Sequence, residues 1–274
     1  MKTLISPFIT ALALLVGAPA YAQPAGQSDG WGLDIGAGAL LSPAYRGDDN
    51  YRASLLPYVK IEYGDRFFAS VQDGVGYTLV KNDRLRFGPI ARIAFARNED
   101  GDQAFAIAGD ETPDLAGLGD VNTTVELGGF AEIDIGVLTA TLEARHGING
   151  HEGFIADARL SYSGRTSAGD RPLFYSVGPR ATFVGDSYND AYFGVTAEQA
   201  LASGLPVFDA SSGIQSVGVG AAVILPITRD GSVSMVAIAG YDRLTGDAGD
   251  APLVRRRGSR DQATLGLFMS YAIW

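Results

Sequence analysis

The sequence predicts an all-β protein, a closed antiparallel transmembrane β-barrel of about twelve strands. Three observations lead to this prediction. Apolar and polar residues alternate along successive segments, many of these segments are longer than soluble strands, and the chain ends on an aromatic strand. The composition agrees, because 36 glycines, 13 Phe and 12 Tyr accompany no internal apolar run near the roughly 20 residues that a spanning helix needs.

The first residues indicate export. A mostly apolar run, residues 4–17, follows Lys2, and Ala20 and Ala22 supply the small residues that signal peptidase reads. The run is too short for a retained membrane anchor. We therefore predict a signal peptide at residues 1–22 that is cleaved after Ala22, a short N-terminal segment at 23–30, and one barrel domain at 31–274.

The strands are predicted from a period of two. Between residues 121 and 135 one row is almost entirely apolar while the other carries Glu126, Glu132 and Asp134, as in a strand with one apolar face. No segment shows a convincing amphipathic helix. The predicted strands are 31–41, 54–63, 67–80, 84–96, 121–136, 138–146, 154–164, 172–185, 190–199, 213–227, 232–244 and 262–274.

Strand length favours a membrane barrel over an exported sandwich. Many runs exceed the roughly 5 to 6 residues of soluble strands and reach the roughly 9 to 11 needed to cross a bilayer. The apolar rows should then face lipid, and the charged row should face the lumen. The predicted lumen residues are Lys60, Glu62, Glu126, Glu132, Asp134, Glu143, Arg145, Asp157, Arg159 and Arg180.

The C-terminus adds an independent indication. Bacterial outer-membrane barrels close with an alternating strand that ends on an aromatic residue, which the assembly machinery recognises. Here Tyr271 and Trp274 are three residues apart and therefore point to opposite faces. The predicted barrel-closing residues are Leu265, Leu267, Met269, Tyr271 and Trp274.

Long blocks of the chain resemble the MipA/OmpV family, the MltA-interacting proteins of the Gram-negative outer membrane. The similar stretches are YRGDDNYRASLLPYVKIEYGDRFF (45–68), DGVGY (73–77), YFGVTAEQALASGLPVFDASSG (192–213) and YDRLTGDAGDAPLV (241–254). The resemblance implies a non-enzymatic outer-membrane barrel. It further implies a scaffold that joins a lytic transglycosylase to a penicillin-binding protein, or a surface antigen, adhesion factor or porin-like protein.

Charge and cysteine usage narrow the possibilities. With no cysteine, disulfides do not hold this fold together. An excess of 31 acidic over 21 basic residues argues against nucleic acid, whose phosphates attract positive charge.

Counting strands back from a periplasmic C-terminus places residues 245–261 and 200–212 outside the cell. The same count places RHGINGHEG (145–153) and the acidic connection 98–120 in the periplasm. The acidic connection could dock basic partners by charge, or it could be a solvated loop or a lumen plug.

The only two histidines, His146 and His151, lie in one glycine-rich turn. Catalysis would require a base that contacts its nucleophile, and zinc would require three or four ligands. The pattern shows neither arrangement. We therefore expect no catalytic residue, no metal and no cofactor, and we interpret the histidines as ordinary residues of a periplasmic turn.

Arg255, Arg256 and Arg257 form a basic run in a predicted outer loop. Arginine pairs well with phosphate, so lipopolysaccharide is one predicted contact, alongside the outer-membrane lipid itself. The alternative is an ordinary solvated charge run.

Two function classes remain open. The barrel is either a scaffold whose lumen is filled by charged side chains, or a channel for small solutes, because twelve strands lie between small filled barrels and open porins. The mixture of both charge signs in the lumen row favours the scaffold slightly.

Overall fold

The computed structural model describes residues 30–101, 105–109 and 112–273. The predicted signal peptide with Ala20 and Ala22, and the terminal Trp274, lie outside the described residues. Within the described part of the chain, no helix is long and apolar enough to cross a membrane.

The described residues form one continuous antiparallel sheet of fourteen strands. Their bounds are β1 Trp31–Pro43, β2 Tyr51–Tyr63, β3 Phe67–Ser70, β4 Gly74–Tyr77, β5 Val80–Lys81, β6 Leu85–Ala94, β7 Ala106–Ala108, β8 Thr124–Ile135, β9 Leu138–Ile148, β10 Phe154–Ala168, β11 Arg171–Val184, β12 Gly213–Pro226, β13 Val233–Leu244 and β14 Asp261–Ala272.

The sheet closes because β1 pairs with strands on both of its sides. Ile35 lies opposite Tyr271 of β14, and Leu33 lies opposite Ile61 of β2. β5 pairs only with β6, and β7 pairs only with β2. Twelve strands therefore form the barrel wall, which confirms the predicted closed barrel.

The long strands are sufficient to cross a bilayer. Ten of the wall strands contain 10 to 15 residues, against the roughly 9 to 11 that a tilted spanning strand needs. On β14 the outward side chains are apolar, and Leu265, Leu267, Met269 and Tyr271 are each 51 to 54% exposed. Such side chains suit a hydrocarbon surface and would be costly to leave in water.

The two ends of the barrel differ. One end, here called the turn end, carries the end of β14 and the short connections 64–66, 78–84, 136–137, 169–170 and 227–232. The opposite end, the loop end, carries the connections 44–50, 95–123, 149–153, 185–212 and 245–260.

Four short helices lie at the loop end. They are α1 Asp186–Phe193, α2 Ala197–Ser203, α3 Gly246–Asp250 and α4 Pro252–Arg257. With the connection 44–50 and the described residues of 95–123 they form a layer, here called the cap, that has its own apolar core. The buried side chains of that core are Tyr45, Leu115, Leu118, Phe193, Val195, Leu205, Ala210, Leu244, Ala248, Ala251, Leu253 and Val254.

The predicted strand at 190–199 is wrong, and short helices form here although no segment shows a convincing amphipathic pattern. This region contains the end of α1 and the start of α2. The Thr196 hydroxyl accepts a hydrogen bond from Gln199 N, and the Gln199 side chain accepts one from Thr196 N at 2.8 Å. This capping box satisfies amides that have no partner at a helix start. Apolar and polar residues alternate around Phe193 because the apolar side chains are buried in the cap core, and not because they line one face of a sheet.

The predicted strand at 67–80 is in fact the two strands β3 and β4. Asp73 N donates to the Ser70 hydroxyl at 2.8 Å, and that hydroxyl donates to the Asp73 carboxylate at 3.0 Å. These bonds hold a tight reversal at residues 71–73. Because one predicted strand is absent and another is two strands, the total of twelve is still correct.

The absent strand changes the side assigned to the earlier connections, back to the divided strand β3–β4, where the count is restored. The described residues of 98–120 and the turn 149–153 lie at the loop end, together with 200–212 and 245–260. A hydrogen bond of 2.8 Å from Arg97 Nη1 to Tyr192 O ties the acidic connection to the cap. The prediction that these two segments share an end with the C-terminus is therefore wrong.

Candidate functional site

The lumen has an apolar side and a charged side. Side chains from β1, β2, β12, β13 and β14 form a buried apolar cluster, which consists of Leu40, Leu56, Ala222, Ile238 and Phe268. The strands β6 and β8 to β11 supply mainly charged and hydroxyl side chains instead. The apolar side is limited to this cluster, because β2 and β13 also carry the inward charged residues Lys60, Glu62 and Asp242.

The centre of the charged side is Arg145, whose side chain is 1% exposed. Its Nε lies 2.7 Å from Glu126 Oε2, and its Nη2 lies 2.8 Å from Asp157 Oδ2. Its Nη1 pairs with Glu143. One guanidinium therefore joins carboxylates from three neighbouring strands, β8, β9 and β10.

Further contacts balance these charges. Arg92 Nη2 donates to Glu143 Oε2 at 2.8 Å, and Thr182 Oγ1 donates to Asp157 Oδ1 at 2.7 Å. The contacts confirm that the predicted charged row faces the lumen. Other ion pairs within it are Arg86–Glu132, Lys60–Glu62 and Arg180–Asp242.

His151 belongs to this network and is not an ordinary turn residue. Its side chain is buried, its Nε2 lies 3.1 Å from Glu126 Oε1, and its Nδ1 accepts a hydrogen bond from Gly153 N at 3.0 Å. The neutral tautomer with the proton on Nε2 satisfies both contacts. Both ring nitrogens are engaged, so no nitrogen is left to serve a nucleophile. His146 lies on the exposed face of β9.

Two glycines of RHGINGHEG allow this close packing. A Cβ at Gly147 would lie 2.2 Å from the His151 ring, and one at Gly153 would lie 2.2 Å from Tyr188 N. Both distances are far below van der Waals contact, so a larger residue would displace the histidine or α1. The turn is therefore shaped to place His151 under the cap.

Arg46 and Tyr188 connect the cap to the charged side of the lumen. Arg46 Nη1 donates to the Tyr188 hydroxyl at 3.2 Å and also bonds to Gln215 Oε1. Burial raises the pKa of Tyr188, so it stays a neutral phenol. Burial opposes the charge of Arg46, but nearby Tyr188, Tyr192, Asp157 and Asp242 outweigh it and raise its pKa. Sequence reasoning missed both residues because they lie outside strands.

The loop end of the lumen is thus closed by packed side chains, whereas the turn end contains a cavity of about 570 Å³. The cavity walls come from β8 to β12 and include Thr139, Ser163, Arg165, Phe174 and Ser176. Buried side chains therefore lie beneath the cap at the loop end, and the cavity lies at the opposite end.

The predicted basic run divides in two. Arg255 and Arg256 are exposed on α4, and the nearest acid to Arg255 is Asp250 at 3.9 Å. Arg257 instead donates to the Asp114 carbonyl at 2.6 Å and to the Ser203 carbonyl, so it holds the cap together.

One group of acidic side chains could in principle hold a metal ion. Within the described residues, carboxylate oxygens of Asp48, Asp49 and Asp114 lie within 4.8 Å of one another. This group lies in the cap connections and includes neither histidine.

A closed antiparallel barrel with an apolar outer surface and a charged lumen is an outer-membrane β-barrel protein. The chain belongs to the family described as MltA-interacting protein MipA, whose family model matches residues 35–273. A search of curated proteins finds no match.

Several solved structures are similar at low sequence identity. An outer-membrane channel from Pseudomonas putida F1 is 12% identical, with 94% of this chain and 100% of that chain covered and a TM-score of 0.46. A bacterial polysaccharide outer membrane secretin is 8% identical (90% and 99% covered, TM-score 0.41), and the NanC porin is 9% identical (87% and 98% covered, TM-score 0.39).

Replacing Arg145 tests the role of the network. Arg145→Met should destabilise the barrel by about 3 to 5 kcal/mol, because three carboxylates lose their shared cation. Thermal or urea unfolding in detergent measures the loss.

The matched control is Arg84→Met, at an exposed arginine of the turn end, with an expected change below about 0.5 kcal/mol. Equal stability losses in the two variants would show that the network does not hold the barrel.

Proposed function

We propose that this outer-membrane barrel is an interaction protein with a sealed lumen, which offers its turn end to a murein-processing enzyme in the periplasm. The observation that carries the proposal is the closure of the loop end by the cap and the Arg145 network. A conducting pore needs a continuous aqueous path, and the burial of Arg145, Glu126 and His151 supports the closure of that path at the loop end.

The orientation follows from the unequal connections. Outer-membrane barrels have short periplasmic turns and longer extracellular loops, which assigns the turn end to the periplasm and the cap to the cell exterior. Export by a signal peptide cleaved after Ala22 is part of this proposal. The mature chain would then begin at Gln23, and an intact-protein mass that corresponds to a different start would contradict it.

The family description supports the type of partner. It names an interaction with MltA, and we extend this to a lytic transglycosylase and, through the scaffold role, to a penicillin-binding protein. The acidic connection 98–120 cannot be the docking segment in this orientation. The turn-end surface carries both charge signs instead, with Asp65, Arg66, Lys81, Asp83, Arg84, Asp170, Arg229 and Asp230 in or beside its turns.

The proposal also treats the protein as non-enzymatic. The one buried histidine donates to Glu126 and accepts from Gly153, so it is held as part of the network. No hydroxyl nucleophile contacts its ring among the described residues. A hydrolase or acyltransferase activity that is lost in a His151→Gln variant of unchanged fold would contradict this assignment.

Charge reversal at the two ends tests the docking side. Lys81→Glu with Arg84→Glu should reduce co-purification of murein enzymes from envelope extracts by severalfold, because it reverses the local potential of the turn end. Arg255→Glu with Arg256→Glu makes the same charge change at the loop end and should leave capture unchanged. Quantitative mass spectrometry of the captured proteins measures both, and loss of capture only in the loop-end variant would overturn the assignment.

A channel for small solutes is the second candidate, and the open turn-end cavity is the observation that favours it. The sealed loop end predicts that the refolded protein gives no discrete conductance steps in a planar bilayer. A porin of known conductance, reconstituted in the same bilayer, is the positive control. Reproducible steps from the unmodified protein would favour transport over the sealed interaction protein.

We also propose that Arg255 and Arg256 contact lipopolysaccharide phosphates from the outer side. Their exposure on α4 and the weak pairing of Arg255 leave them available, and arginine binds phosphate through paired hydrogen bonds. Arg255→Ala with Arg256→Ala should lower lipopolysaccharide binding severalfold without changing the unfolding temperature, as surface plasmon resonance and calorimetry would measure. Unchanged binding would leave the two arginines as solvated charges.

A further inference from the structure

We propose that the turn-end cavity is a binding site for a small oxyanion, a molecule with a carboxylate or phosphate group. The site is built by one inward row of β10, in the sequence RLSYSGR. Its side chains Arg159, Ser161, Ser163 and Arg165 alternate with outward residues and therefore face the lumen together. The proposal is independent of partner docking at the turn end.

The two arginines of this row differ from the inward arginines of β6, β9 and β11. Those on neighbouring strands form ion pairs with carboxylates, namely Arg86, Arg92, Arg145 and Arg180. Among the described residues, Arg159 and Arg165 form no salt bridge. The Nε of Arg159 is buried without a hydrogen-bond partner, and the Arg165 guanidinium stacks 5.5 Å from the centre of the Phe174 ring.

A third donor lies between them. The Ser163 hydroxyl is buried without a hydrogen-bond partner, and Ser163 lines the cavity. Buried polar groups in folded proteins nearly always have partners. A donor without a partner in the wall of a cavity indicates that a ligand or ordered solvent supplies the missing acceptor.

Strand register places the three donors in one row that leads from the cavity toward the middle of the lumen. Arg165 and Ser163 line the cavity wall, and Ser176 lies directly opposite Ser163 on β11. Arg159 is not among the residues that line the cavity, and it lies two inward positions deeper, opposite Arg180. The inward positions between Arg159 and the wall are the small residues Ser161 and Gly178, so no bulky side chain of β10 or β11 separates Arg159 from it.

Charged groups of both signs surround Arg159, the deeper of the two arginines. Arg159 has Asp157 and Asp73 as acidic neighbours and Arg180 and Arg92 as basic ones. Asp157 is already bonded to Arg145 and Thr182.

Two more acids belong to the cavity lining, Asp83 and Asp134. Asp134 accepts a hydrogen bond from Thr139 at 2.7 Å. The β10 wall therefore offers positive charge and hydroxyl donors, while the acids come from other elements. We infer that the oxyanion binds along β10 and that neutral or cationic parts of the ligand face Asp83 and Asp134.

The cavity size limits the ligand. A volume of about 570 Å³ falls within the range of pockets that hold small molecules, roughly 300 to 1,000 Å³. Phe174, Tyr175 and Ile224 supply apolar surface beside the donors. The site therefore suits a small solute that enters from the turn end and carries one oxyanion beside an uncharged portion.

Isothermal titration calorimetry of the refolded full chain tests the site, with succinate and inorganic phosphate as probes. We expect saturable binding of at least one probe, and its identity distinguishes a carboxylate site from a phosphate site. Arg159→Gln and Arg165→Gln should each weaken that binding about tenfold or more, because each removes a charge-assisted hydrogen bond. Arg159→Lys, which keeps the charge, should lose less than Arg159→Gln.

The control is Arg229→Gln, which makes the same charge change in the turn 227–232 outside the cavity lining and should leave the dissociation constant unchanged. Heat-modifiable migration on a gel verifies that each variant retains the barrel. Absence of binding of both probes to the unmodified protein at about 50 mM would overturn the proposal. So would unchanged affinity in either Arg→Gln variant, or an equal loss in the control.

Discussion

The structure depends on the pairing of one buried guanidinium with three carboxylates. Arg145 holds Glu126, Glu143 and Asp157, so three adjacent strands share one electrostatic centre, and Arg92 adds a fourth strand through Glu143. Removing a charge from water costs several kcal/mol, and only close, hydrogen-bonded partners offset that cost. A shift of strand register in β8, β9 or β10 would separate these groups. The network therefore also fixes which residues face inward.

The cap rests on this centre. Glu126 bonds to His151, the His151 ring packs edge to face on Tyr188 of α1 with ring centroids 4.6 Å apart, and Tyr188 accepts a hydrogen bond from Arg46. Polar contacts thus connect the barrel wall to the helices. Above these contacts the cap has its own apolar core. No comparable layer covers the turn end in the described part of the chain. This difference between the ends supports both the proposed periplasmic docking side and the anion site in the open cavity.

Local patterns were sufficient to predict most of the barrel. The period of two placed the strands and the inward charged row, because each strand must satisfy lipid on one face and the lumen on the other. It failed at residues 190–199, where the apolar spacing around Phe193 comes from the cap core. The capping box of Thr196 and Gln199 was present in the sequence and could have identified α2.

The burial of His151 could not be predicted, since its partner Glu126 is 25 residues away and the contact with Tyr188 depends on how the cap folds. The two arginines of β10 that form no salt bridge become apparent only when the partners of the inward arginines of β6, β9 and β11 are known.

The central claim is that the lumen is sealed at the loop end and open at the turn end. The chain contains no cysteine, so single cysteines can report solvent access without background. Thr139→Cys lies in the turn-end cavity, and Thr124→Cys lies under the cap, where the native side chain is fully buried. The most direct measurement is the rate of N-ethylmaleimide modification of each variant in the folded, detergent-solubilised protein. Modification of Thr139→Cys in the native state, with Thr124→Cys reacting only after heat unfolding, is the predicted result. Equal rates at both positions in the folded protein would show that water passes through the cap and would contradict the account.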